Sequence, residues 1–269
     1  MAAQGNGGIV LKSPREIDLL RTAGGLVHRI LTRMEELAVP GATTAELNAV
    51  AEEMIAEAGA TPLFKGVTNP QAKVPFPAAL CTSVNEEVVH GIPSDRVLRE
   101  GDIVSVDCGV RLNGYCGDSA RTLAVGRVSE PVDKLLEVTR QGLVLAIAEV
   151  KPGRMWTEVA RQVQQYVEGQ GLSVVRDFVG HGIGQGMHEE PKVPNYVDRK
   201  QKKADFRLVE GMTLAIEPMV NLGRPEVVYS GRERWAVRTK DGQCAAHFEH
   251  VVAVTRDGAD VLSDGRQPH

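Results

Sequence analysis

Several residue types are scarce in this chain of 269 residues, and each scarcity excludes something. Cysteine occurs only four times, as Cys81, Cys108, Cys116 and Cys244, never in a C-x-x-C pair. That argues against a thiolate-type zinc site and a disulfide framework, and it fits a reduced, cytoplasmic protein. No block of basic residues appears and the net charge is −4, so nucleic acid is not an expected substrate. No apolar run is long enough to span a bilayer. The polar, Gly-rich start from Met1 to Gly8 lacks the apolar stretch of a signal peptide. Aromatic residues make up only 4% of the chain, so an aromatic near a candidate site is informative. What remains is a chain long enough to bury a sizeable core.

Residues 1–12 read as a flexible leader and 13–269 as one catalytic domain. Ser13-Pro14-Arg15-Glu16 is a capping box with proline at the first helical position. It opens a helix to about Leu37, with Ile17, Leu20, Leu26, Val27, Ile30 and Leu31 as its apolar stripe. Pro40-Gly41 ends it, and Thr44 is the expected cap of a second helix to about Ala58. Pro62 to Pro77 reads as a loop, and Leu80 to Val84 as a strand. Next, Val104 to Ala120 reads as a β-hairpin turning at Asn113-Gly114. A two-residue turn there sets Asp118 opposite Gly109 and Asp107 opposite Ala120. The two carboxylates are then diagonal neighbours on one face. Cys108 and Cys116 could face each other across this hairpin, but they read as small apolar fillers.

From Pro131 the pattern begins again. A helix opens at Val132 and ends at Pro152-Gly153, and another runs from about Trp156 to Glu168. Leu98-Arg99-Glu100-Gly101-Asp102-Ile103-Val104-Ser105-Val106-Asp107 has a twin in Leu208-Val209-Glu210-Gly211-Met212-Thr213-Leu214-Ala215-Ile216-Glu217. Glu-Gly recurs 110 residues on, with an acid six residues later in both copies. This predicts an internal duplication with halves near 13–128 and 129–263. The expected fold is α+β, two pseudo-symmetric halves with their sheets packed under a helical layer. Glu249 is the acid of the second half that matches Asp118.

Between the two acid pairs lies Gly180-His181-Gly182-Ile183-Gly184-Gln185-Gly186-Met187-His188. Its glycines rule out an ordinary helix and allow close backbone approach to a ligand. Four carboxylates and one or two imidazoles describe a site for two divalent metal ions. Mn, Fe(II), Co and Zn all suit that donor set. Two such ions activate water and polarise a carbonyl, which points to amide hydrolysis.

These motifs resemble the type I methionine aminopeptidases. The segments that carry the resemblance are Cys81 to Pro93, the Asp107/Asp118 hairpin, Gly180 to Pro191, Glu210 to Met219 and Phe248-Glu249-His250. The match is collinear from about residue 14 to 263. It implies the pita-bread fold and removal of the N-terminal methionine from new proteins and peptides whose second residue is small. It further implies that Asp107, Asp118, His181, Glu217 and Glu249 are the metal ligands, with Asp118 and Glu249 bridging. Glu217 would also accept a proton from water. His188 would hydrogen-bond the substrate near the scissile carbonyl, and His90 would meet the amide nitrogen side. Cys81, Phe64, Phe76, Met187 and Trp235 are candidates for the methionine pocket. Nascent chain N-termini are the expected partners, with transient contact at the ribosome and a monomeric state.

The sequence departs from the family pattern at Met187, where an aromatic is usual, at Ser119 for threonine and at Val89 for cysteine. Lys65 to Pro75 is longer than in short bacterial forms. Two rival readings are an Xaa-Pro aminopeptidase or prolidase, and a non-catalytic pita-bread binding module. The dozen residues before the first helix argue against the first, and the complete set of acids and histidines argues against the second. The 29 positions from His188 to Glu217 leave no room for the helical insertion of type II methionine enzymes.

Overall fold

The computed structural model describes residues 4–5 and 8–266. Ser13 caps helix α1 (Pro14–Leu37), accepting from the Glu16 amide while the Glu16 carboxylate accepts from the Ser13 amide. The face carrying Leu20, Leu26, Val27, Ile30, Leu31 and Met34 is buried. Each such side chain contributes roughly 1.5–3 kcal/mol through removal from water. Helix α2 (Thr44–Glu57) is capped by Thr43 rather than Thr44, because Thr43 forms the reciprocal box with Glu46. Thr44 instead bonds through its hydroxyl to the Ser94 carbonyl.

Against α1 and α2 lie strand β1 (Leu80–Val84) and the hairpin of β2 (Ile103–Leu112) and β3 (Tyr115–Ala124). The hairpin register pairs Asp107 with Ala120 and Gly109 with Asp118, as the Asn113-Gly114 turn predicts. Val104, Val106, Cys108 and Val110 face the helices. The alternate set, with Asp107 and Gly109, faces away from them. At Gly117 the backbone of α1 comes so close that a Cβ would overlap Ala23 and Gly24. Cys116 pairs with Arg111 and Cys108 with Ser119, so the two thiols lie on opposite faces and do not meet. All four cysteines are free.

The second half repeats the layout with helices α3 (Glu130–Glu149) and α4 (Trp156–Gly169). Its strands are β4 (Gly180–Gly182), β5 (Glu189–Val193), β6 (Thr213–Ile216), β7 (Ala245–His247) and β8 (Glu249–Thr255). The strands of both halves join edge to edge in one sheet ordered β5-β4-β6-β8-β3-β2, with Thr61–Pro62 beyond β2. The junction is β3 against β8, where Ala120 pairs with Glu249 and Ser119 with His250. The Ser119 hydroxyl also donates to the Glu249 carbonyl, at 2.5 Å. The shared helical layer is present, with one core under α1 and α2 and another under α3 and α4.

Residues 9–12 do not belong to a flexible leader. Ile9 is buried, and the Lys12 amide donates to the Gly211 carbonyl. Lys12 also forms an enclosed ion pair with Glu189 at 2.6 Å. Residues 9–12 are therefore docked on the second half; residues 1–3 and 6–7 of the expected leader lie outside the described residues.

Candidate metal centre

The uncovered face of the sheet carries the acids. Asp107 stands on β2 and Asp118 diagonally across from it on β3. Glu249 opens β8, and Glu217 follows the last residue of β6. Gly109 keeps space clear between the acids: a Cβ there would come within 2.9 Å of Phe64 and 3.4 Å of an Asp118 oxygen. His181 lies on β4, paired with Ala215 of β6. Its Nδ1 is 2.8 Å from the Gly182 carbonyl. A carbonyl can only accept, so Nδ1 carries the proton and Nε2 offers a lone pair to the site.

That Nε2 is 3.9 Å from Asp118 Oδ2 and 3.7 Å from Glu217 Oε1. Asp118, His181 and Glu249 each present a donor atom within 4.8 Å of the other two, close to the span of one cation's coordination sphere. Asp107 and Glu217 stand beside this trio in the same pocket.

The electrostatics demand a counter-charge. Burial, opposed by His247 and reinforced by Glu217, pushes Asp107 up to about 7. Burial raises Asp118 and Glu249 well above the carboxylate range, and neighbouring acids raise them further. One oxygen each of Asp107, Asp118 and Glu249 is buried without a hydrogen-bond partner. Orphaned buried oxygens of this kind are costly unless protons or cations satisfy them. The residues therefore fit divalent cations, held by oxygen with a single imidazole.

The remaining sequence-selected residues line the same pocket: His90, His188, Cys81, Phe64, Phe76, Met187 and Trp235. His90 has a left-handed backbone, φ 62°, an uncommon state for a non-glycine residue that clusters at functional sites. Burial lowers its pKa to about 4, so it is neutral near pH 7. His188 stands at the mouth, its ring 4.4 Å from that of His181 and nearly perpendicular to it. Loss of solvation and then the neighbouring His181 lower its pKa, against an opposing pull from Glu217. The apolar wall is built on Trp235, which packs edge-on against Phe76 at 5.2 Å and donates from Nε1 to the Val74 carbonyl at 2.7 Å. Burial, then Asp107 and Asp118, raise the Cys81 thiol well above its usual range, so it acts as an apolar surface.

The loop carrying His188 is tethered from three sides. Glu189 accepts from the Gly186 amide and from Lys12, and Cys116 donates its amide to the Gly184 carbonyl. Gln185 donates to the Tyr115 hydroxyl, which donates in turn to Glu16.

Two residues escape the sequence reading. Val67 lines the pocket from the irregular 63–76 loop, where no periodicity points to it. His247 is buried with its Nε2 3.6 Å from Glu217 Oε2. Its signal is its place two residues before Glu249.

The comparisons agree with this geometry. The model of metallopeptidase family M24 matches residues 18–256. A methionine aminopeptidase of Clostridium acetobutylicum is 47% identical over 256 residues, covering 95% of this chain and 98% of the relative. Methionine aminopeptidase 1 of Bacillus subtilis is 45% identical over 255 residues, covering 95% and 99%. The crystal structure of methionine aminopeptidase from Thermotoga maritima superposes with a TM-score of 0.88 at 41% identity, covering 95% and 99%. A fold, an acid-and-imidazole centre and a near full-length sequence match converge, and the chain belongs to metallopeptidase family M24.

Proposed function

We propose that this chain is a metal-dependent aminopeptidase that removes the N-terminal methionine of nascent proteins and peptides when the second residue is small. The observation that carries the reading is one pocket with two unlike walls. One wall holds four carboxylates and His181, and the other is apolar, built from Phe64, Phe76, Cys81, Met187 and Trp235. The near full-length relatives named methionine aminopeptidase support it.

In this reading Asp107, Asp118, His181, Glu217 and Glu249 would hold the divalent cations. Mn, Fe(II), Co and Zn all suit the donor set. When bound, the ions supply Lewis acidity toward the scissile carbonyl and lower the pKa of the attacking water. Glu217 accepts the proton from that water. His188, at the mouth, donates a ring N–H toward the carbonyl oxygen as negative charge develops there. His90, neutral and edge-on to Phe178 at 5.4 Å, faces the amide nitrogen side. The apolar wall takes the methionine side chain and excludes water from it. Four free cysteines suit a reducing compartment, so a cytoplasmic place is part of the reading. No helix among the described residues is long and apolar enough to cross a membrane.

The test is peptide cleavage after metal stripping, with Mn, Fe(II), Co or Zn restored. Met-Ala-Ser should release free methionine only with metal, and Met-Leu-Ser should resist. Preference for Ala-Pro peptides, or no cleavage by metal-loaded protein, would contradict the reading.

A further inference from the structure

His247 has no role in the scheme above, yet it is the most enclosed imidazole around the pocket. It is 2% exposed, against 9% for His181. Its Nε2 is buried without a hydrogen-bond partner, an unfavourable state for a ring nitrogen. That nitrogen is aimed at the site, 3.6 Å from Oε2 of Glu217. The other Glu217 oxygen, Oε1, is 3.7 Å from Nε2 of His181. The Glu217 carboxylate thus stands between two imidazoles, one facing each oxygen.

The two imidazoles are not equivalent. His181 has committed Nδ1 to a carbonyl and presents a lone pair, the state of a cation ligand. It faces Oε1 of Glu217. His247 faces the other oxygen, Oε2. The backbone of His247 is fixed in place. Its amide donates to the Thr122 hydroxyl at 2.8 Å, and its carbonyl accepts from that hydroxyl at 2.8 Å. It also pairs with Met219, two residues past Glu217 in the chain. The ring therefore reaches Glu217 from a frame that cannot easily withdraw.

We infer that His247 is a positioning residue. Its Nε2–H donates a hydrogen bond to Oε2 of Glu217 when the site closes on its ligands, and so aims the proton-accepting carboxylate. Hydrogen bonds of this kind are often long before substrate binds and tighten on binding. The inference rests on the reading of Glu217 as proton acceptor.

Two variants separate the roles. His247→Gln keeps an N–H donor, and His247→Leu keeps apolar bulk without one. Each is compared with wild type by titration with Mn²⁺ alone, by kcat and KM on Met-Ala-Ser, and by the Glu217 orientation in Mn-loaded crystals. The leucine variant should lose about 10- to 100-fold in kcat, the scale for removing a supporting hydrogen bond. Its KM should hold and its Mn²⁺ affinity should fall by no more than about tenfold while the Glu217 carboxylate turns, and the glutamine variant should recover most of the rate. Equal rates in all three proteins would overturn the inference. So would an equal loss in both variants, or a collapse of Mn²⁺ affinity that makes His247 a ligand. If the leucine variant does not fold, His247→Asn, whose amide falls short of Glu217, takes its place with the same expected loss. If wild type releases no methionine, the aminopeptidase reading fails, while Mn²⁺ affinity and Glu217 orientation still decide the His247 contact.

Discussion

In the first half of the molecule, Asp107 and Asp118 stand on one hairpin whose strands are joined by Asn113-Gly114. In the second half, Glu217 follows β6 and Glu249 opens its partner β8, so the register sets the two acids opposite each other rather than diagonally, and the chain between them makes a long excursion over residues 218–248. The first frame is short and rigid and contributes charge. The second contributes the same charge, and its excursion adds Trp235 to the apolar wall and His247 behind Glu217. In the proposed reading, duplication thus supplies the cation-binding acids, and the unduplicated segments supply the groups that meet the substrate. His188, on the tethered loop after β4, belongs to the second class.

The sharpest break of this comparison is Asp118→Asn. It should lower kcat/KM by at least about 1,000-fold and weaken metal binding, since loss of even a supporting partner costs 10–100-fold. Metal content and Met-Ala-Ser cleavage check it; retained metal with normal turnover would remove Asp118 from the shared position. His188→Ala should lower kcat by about 100-fold, the scale of one lost donor to developing charge. Its metal content should stay intact, which sets it apart from the duplicated acids. Trp235→Ala should raise KM about tenfold and cost about 3–5 kcal/mol in stability, since it empties a buried aromatic site. Denaturant unfolding and steady-state kinetics measure the two effects.

A pH series sharpens the comparison on the acid side. In the metal-free protein Asp107 titrates near 7, raised from an ordinary 3.8, and Asp118 and Glu249 are raised as well. The folded state then holds protons that the unfolded chain has released. The stability these groups contribute is complete below their unfolded pKa and is lost as pH rises through the folded values. A cation replaces those protons, so the gain in Tm on adding Mn²⁺ should widen from about pH 5 to about pH 8. A constant gain would mean that the acids are not the ligands. The smallest effect is expected of Met187→Phe, which should shift the ratio of Met to Leu substrates by a few-fold, on the scale of about 1 kcal/mol for a reshaped apolar contact. An unchanged ratio would take Met187 out of the pocket wall.

Much of this centre is legible in the sequence for local reasons. Asn113-Gly114 sets the hairpin register, and the register sets Asp107 and Asp118 on one face. The repeated Glu-Gly segments predict where Glu217 must stand. The junction of the halves is not legible, because two backbone pairs between β3 and β8 join strands distant in sequence and leave no local pattern. The docking of residues 9–12 depends on Lys12 finding Glu189, a pairing that no periodicity announces. Thr43 displaces Thr44 as a cap because two adjacent threonines offer the same signal, and only the Glu46 spacing distinguishes them. Val67 is hidden in an aperiodic loop, whereas His247 is within reach of the sequence, two residues from Glu249.

The most direct test of the central claim is anomalous diffraction from crystals soaked in Mn²⁺. Two adjacent peaks are expected, bounded by Asp107 and Asp118 from the first half and by His181, Glu217 and Glu249 from the second, with Asp118 and Glu249 within reach of both. Peaks held by one half alone, or no peak at saturating Mn²⁺, would contradict it.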